Sequence, residues 1–112
     1  MSNINERAKE ATYKLLQLGI IQPLLRRIEN GKKRVTYKES GKKGINFRTI
    51  ETNIKIIADA GAAEFGMTAA DLGADYGSEI NTTGKNISIE GNTLKLFYRG
   101  CEGIEKHFPE LF

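Results

Sequence analysis

Residues 29–48 read ENGKKRVTYKESGKKGINFR, and how this stretch folds decides the architecture of the chain. Val35 and Tyr37 alternate with Arg34, Thr36 and Lys38, and Ile45 and Phe47 alternate with Asn46 and Arg48. That is the two-residue period of half-buried strands. Between the two runs, Glu39-Ser40-Gly41-Lys42-Lys43-Gly44 has the composition of a turn. The expectation is a β-hairpin with one apolar face and one basic face carrying Arg34, Lys38 and Arg48, its loop adding Lys42 and Lys43. Just upstream, Arg26, Arg27, Lys32 and Lys33 extend the basic character.

A second hairpin is expected around Gly91-Asn92, a turn pair of the primed kind. Folding the chain there sets Ile89 against Leu94, Ser88 against Lys95 and Ile87 against Leu96, apolar facing apolar and polar facing polar. A slip of one residue would flip every side chain, so the pattern pins the register. An isolated hairpin is marginal. Two of them suggest an antiparallel sheet of about four strands covered by helices on one face, an α+β domain in the order ααββααββα.

The helices follow from apolar spacing and caps. Ile4, Ala8, Ala11, Leu15 and Leu18 share one face of a helix over residues 3–18, with Asn3 and Glu6 placed for a capping box and Gly19 for the C-terminal turn. A short helix from Pro23 buries Leu24, Leu25 and Ile28 and stops at Asn30-Gly31. Residues 50–65 read as a third helix capped by Thr49 and ended by Gly66. Thr68 with Asp71 opens a short helix reaching Tyr76, residues 77–85 read as a loop, and a last helix follows Gly100.

The 112 residues fit one domain, residues 1–112, long enough to bury a core. With one cysteine there is no internal disulfide and no multi-cysteine zinc site. The polar start MSNINERAKE lacks an apolar signal core, and no apolar run is long enough to span a bilayer. A cytoplasmic protein with no membrane partner is the expectation. The net charge of +3 conceals an asymmetry: residues 1–55 hold 13 Lys/Arg against 5 Asp/Glu, residues 56–112 hold 4 against 9. A basic half suits a polyanionic partner, and oppositely charged halves also suit a homo-oligomer.

No arrangement of residues announces catalysis. Cys101 and His107 are the only residues of their kinds, and six positions apart on one helix they lie on different faces. Asp71, Asp75 and Glu79 fall at i, i+4, i+8, a row that suits a solvated or partner-facing acidic stretch from Asp59 to Glu79 better than a metal site. No cofactor or metal is expected. The Gly-Lys-Lys repeats at Gly31 and Gly41 lack the order and setting of a phosphate loop. Asn81-Thr82-Thr83 and Asn86-Ile87-Ser88 are chance matches to glycosylation sequons if the protein is not secreted.

The basic set Arg26, Arg27, Lys32, Lys33, Arg34, Lys38, Lys42, Lys43 and Arg48 therefore carries the functional expectation: a non-enzymatic module whose basic hairpin touches a DNA or RNA backbone. The bland alternative is an ordinary solvated hairpin. A second reading is a small regulator or inhibitor that occludes a protein surface, such as a nucleic-acid-handling enzyme or a defence complex met by phage and mobile elements. An enzyme using Cys101 and His107, with Arg99 nearby, comes last.

Overall fold

The computed structural model describes residues 4–38, 46–84 and 86–112. The chain opens with helix α1 (Ile4–Gln17), whose Ala8, Ala11 and Leu15 are buried. Gly19, at φ 73°, ends it as the sequence anticipates. The Ile20 N–H reaches the Leu15 carbonyl and the Gly19 N–H reaches that of Leu16, the paired bonds of a Schellman turn. Helix α2 (Ile21–Glu29) starts two residues before Pro23, which its first turn tolerates because the N–H there has no intrahelical partner. A second Schellman turn closes α2 at Gly31, φ 86°, with Lys32 N bonded to Arg27 O. Strand β1 (Arg34–Lys38) follows.

Here the sequence reading fails. β1 has no hairpin partner in residues 46–48, because Phe47 and Arg48 form the first turn of helix α3 (Phe47–Ala63). Asn46, not Thr49, is the cap: its Oδ1 accepts the Arg48 N–H at 2.8 Å. The loop with Lys42 and Lys43 lies outside the described residues, as does the Asn3 cap. The two-residue alternation at 45–48 was too short to outweigh a longer signal. Phe47, Ile50, Ile54, Ile57 and Gly61 recur every three or four residues, and they form the inward stripe of α3.

Beyond Gly66, Thr68 and Asp71 do exchange capping bonds: Thr68 Oγ1 accepts Asp71 N at 3.1 Å and Asp71 Oδ2 accepts Thr68 N at 3.4 Å. They open only one 3-10 turn (Ala70–Leu72), stopped by Gly73 at φ 85°. The loop expected over residues 77–85 is replaced, over its described residues 77–84, by regular structure. The short helix α4 (Tyr76–Glu79) runs straight into strand β2 (Ile80–Thr83), and Thr83 pairs with Asn86 across a two-residue connection begun by Gly84 at φ 59°. Strand β3 (Asn86–Glu90) comes next.

The expected turn at Gly91-Asn92 is instead the start of helix α5 (Gly91–His107). Leu94, Phe97, Cys101 and Ile104 form its buried stripe, at the spacing of a helix. A short 3-10 turn (Pro109–Leu111) ends the chain's ordered elements.

The α+β class holds, but among the described residues the sheet has three strands rather than four, in the order β1-β3-β2, all antiparallel. β3 is central, with Val35 opposite Ile89 and Tyr37 opposite Ile87 on one side, and Ile80 opposite Ile89 on the other. Val35, Ile80, Ile87 and Ile89 pack into one cluster with Leu15, Leu24, Ile50, Ile54 and Phe97 from the helices. The other face carries Arg34, Thr36, Lys38, Asn81, Thr83, Asn86, Ser88 and Glu90, with Thr36 and Ser88 hydroxyls bonded at 2.9 Å. α3 and α5 cross at backbone contact. A Cβ on Gly61 would lie 2.2 Å from the Leu96 carbonyl oxygen, and one on Gly100 would lie 2.0 Å from that of Ile57.

Candidate anion-binding surface

The basic residues singled out from the sequence do gather in part, although no hairpin holds them. Arg26 and Arg27 occupy the last turn of α2, where cations interact favourably with the helix's negative end. The Schellman turn at Gly31 reverses the chain, so that Lys32 and Lys33 lead back from that end into Arg34 of β1. All five are exposed. Arg27 is committed: its Nη1 donates to the Thr36 carbonyl, tying α2 to the outer edge of β1. Arg34 is half engaged, 3.8 Å from Glu90 across the strand pair. Such an exposed pair is worth little.

Lys38 stands at the other end of β1, about 14 Å away at ~3.4 Å per residue. Arg48 lies on the first turn of α3. Neither lines the cavity beside Lys32. Lys42 and Lys43 lie outside the described residues.

That cavity is a groove of about 360 Å³ bounded by Ile28, Lys32, Lys33, Gly91, Leu94 and Lys95. α2 and the residues after it form one wall and the first turns of α5 the other. The Tyr98 hydroxyl, donating to Glu29 Oε2 at 3.3 Å, links the walls. Burial first and the neighbouring carboxylates second push the Tyr98 hydroxyl's pKa above its usual value, so it stays protonated and remains a donor at neutral pH. Lys95 was missed in the sequence because residues 93–96 were read as a strand. The 94-97-101-104 stripe, which turns that segment into a helix, is the signal that would have found it.

The N-terminus of α5 is already occupied from within the chain. Glu79, at the end of α4, accepts the Asn92 N–H at 2.9 Å, the Thr93 N–H at 3.3 Å and the Thr93 hydroxyl at 2.8 Å, and also the Asp75 N–H at 2.7 Å. Burial pushes its carboxyl up, but these bonds together outweigh burial and hold it below the usual carboxylate range. The groove's positive character therefore comes from lysines, not from the helix end. Among the described residues no carboxylate lies within ion-pairing distance of Lys32, Lys33 or Lys95.

The acidic row does not form. Asp71 accepts the Thr68 N–H at the 3-10 turn, Asp75 accepts the Ser78 hydroxyl at 2.9 Å, and Glu79 caps α5. No metal-holding cluster occurs among the described residues. A larger cleft, about 680 Å³, lies beside this segment and is lined by Asp59, Met67, Thr68, Asp75 and Tyr76 among others. Its polar centre is closed on itself: the Tyr76 hydroxyl donates to Asp59 Oδ1 at 2.5 Å. Burial, then this bond to a carboxylate, drive the Tyr76 pKa far above its usual value.

Cys101 is only 1% exposed within the core, and burial pushes its thiol up, away from the reactive thiolate. His107 is exposed on the last turn of α5, and Arg99 lies over the Phe65 ring at 4.8 Å. No helix among the described residues is long and apolar enough to cross a membrane. The chain matches no protein-family model, no curated protein and no solved structure.

Proposed function

We propose that the chain is a non-enzymatic module that binds nucleic acid by its phosphate backbone, through the surface formed by the end of α2, the residues after it and the start of α5. One observation carries this reading. Lys32, Lys33 and Lys95, from distant parts of the sequence, converge on one groove, and among the described residues none of the three is ion-paired, the flanking Glu29 and Glu79 being bonded to Tyr98 and to the start of α5. Uncompensated cations on a concave surface raise the local potential and draw in polyanions.

Three such contacts imply a log–log salt dependence of binding with slope about −2 on single strands and about −3 on duplex. Fluorescence anisotropy with labelled DNA and RNA across a salt series measures it directly. The comparison protein carries Lys32→Ser and Lys33→Ser, both exposed and both outside the core. The expected result is salt-sensitive binding that weakens in this variant with a shallower slope. Absence of binding to any nucleic acid at low salt would refute the proposal. It would turn attention to a protein partner, for which the 680 Å³ cleft with exposed Met67 and carboxylates Asp59 and Asp75 is the better-shaped surface.

A further inference from the structure

We infer that the groove between α2 and α5 receives one unpaired nucleoside phosphate, which makes the protein a binder of single strands rather than of duplex. This rests on the nucleic-acid reading above and specifies its ligand.

The groove has two kinds of lining. Lys32 and Lys33 stand on one side and Lys95 on the other, while Ile28 and Leu94 supply an apolar floor. A duplex presents phosphates on its outside and keeps its bases stacked, so it would use the lysines and leave the floor empty. An unpaired nucleotide uses both, its phosphate among the ammonium groups and its base or sugar on the aliphatic floor. The volume, about 360 Å³, lies at the small end of ligand pockets, which suits one such unit. Among the described residues no aromatic ring lines the groove, so base stacking adds nothing and base preference is weak. Glu79 already takes the Asn92 and Thr93 amide groups, so the phosphate is assigned to the lysine side chains. Arg34, exposed and next in the chain after Lys33, would follow the strand as it leaves, which favours a strand over a free mononucleotide.

Lys95 is the discriminating residue, because it belongs to the groove and not to the basic run of the sequence. It is exposed on α5, and Lys95→Gln preserves the helix. Binding is measured with a 12-nucleotide thymidine strand, the same length of abasic phosphodiester, the corresponding duplex and a free nucleoside monophosphate.

The wild type is expected to prefer the thymidine strand over both the abasic strand and the duplex, and to bind the monophosphate least. Lys95→Gln should lower the salt slope by about 0.7, the loss of one single-strand phosphate contact, equivalent to ~5-fold per tenfold change in salt. It should also narrow the preference for thymidine over abasic strand, and Lys95→Arg should restore both.

Equal binding of duplex and single strand overturns the inference, and so does a Lys95→Gln variant indistinguishable from wild type. If the Lys32→Ser, Lys33→Ser variant weakens binding while Lys95→Gln does not, the groove assignment falls and the basic surface stands. If the monophosphate binds as tightly as the strand, the ligand is a free nucleotide and the single-strand assignment falls. If no nucleic acid binds at low salt, both readings fall together.

Discussion

Gly100→Ala is the sharpest test of the packing between α3 and α5. Its added methyl would sit 2.0 Å from the Ile57 carbonyl oxygen and 2.8 Å from Ile57 Cγ2, where ordinary contact needs about 3.5 Å. The obstruction is backbone, so no rotamer relieves it. The helices must move apart by about 1.5 Å, beyond the ~0.5–1 Å gap that already forfeits a quarter to a half of each dispersion contact along the seam. Overpacking of this kind costs ~3 kcal/mol, at the upper end of its usual range because rigid helices meet. The better helix propensity of alanine returns ~1 kcal/mol, leaving a net loss of about 2 kcal/mol.

Gly103→Ala, on the same helix, is the internal control. Its methyl would meet only the Glu64 carboxylate at 2.8 Å, the movable end of an exposed side chain. It should therefore gain the propensity term and become more stable by ~1 kcal/mol. The two variants should differ by about 3 kcal/mol. With urea m-values of about 1–3 kcal/mol/M, that difference separates their midpoints by roughly 1 M or more. Equal midpoints would show that the helices do not meet at Gly100, and the core arrangement described above would be wrong.

Other outcomes follow from single side chains. Thr12 is fully buried, with no partner for its hydroxyl among the described residues, so Thr12→Val should raise stability by about 1 kcal/mol in urea titration; a loss would reveal a hidden bond. Glu79→Gln should cost ~1 kcal/mol at neutral pH as the α5 cap weakens. Because the folded pKa of Glu79 lies below its unfolded value of ~4.3, the ionised cap stabilises fully above that value. This stabilisation is lost as pH falls through the folded pKa, so the gap between wild type and Glu79→Gln should close in acid and stay flat above about pH 5. Asn46→Ala should cost ~1 kcal/mol by removing the cap of α3, with no change in urea m-value. Cys101 should resist thiol reagents in the native protein and react in step with unfolding in urea; fast native labelling would contradict its burial.

Local chemistry was legible where one residue type decides the geometry. Gly19, Gly31 and Gly66 close α1, α2 and α3 at positive φ, and the Thr68–Asp71 pair makes its reciprocal bonds. Short apolar alternations misled. Val35 and Tyr37 do form a strand, but the equally convincing Phe47 and the Leu94–Leu96 pair belong to helices whose stripes extend over four turns. Two or three alternating residues fit either period, and only the longer window separates them. The neat rung-by-rung match across Gly91-Asn92 gave way because Glu79, twelve residues upstream of Gly91, caps the helix that starts there. No local pattern announces such a bond. The basic cluster was visible as a run of charges, whereas Lys95 joins it only through the tertiary fold.

The position of β1 bears on how the molecule assembles. β2 and β3 are joined by two residues and run directly into α5, so they can organise early through short-range contacts. β1 must find β3 across a long gap: Thr36 and Ser88 are 52 positions apart, and closing that loop has an entropic cost the local hairpin does not bear. β1 should therefore dock late, and Val35→Ala should speed unfolding far more than it slows folding. Lys32 and Lys33 arrive with β1, whereas Lys95 arrives with α5. The groove is thus completed only by the last step of folding, and any ligand held there acts as a latch on that step, slowing the release of β1 before it touches any other motion of the protein.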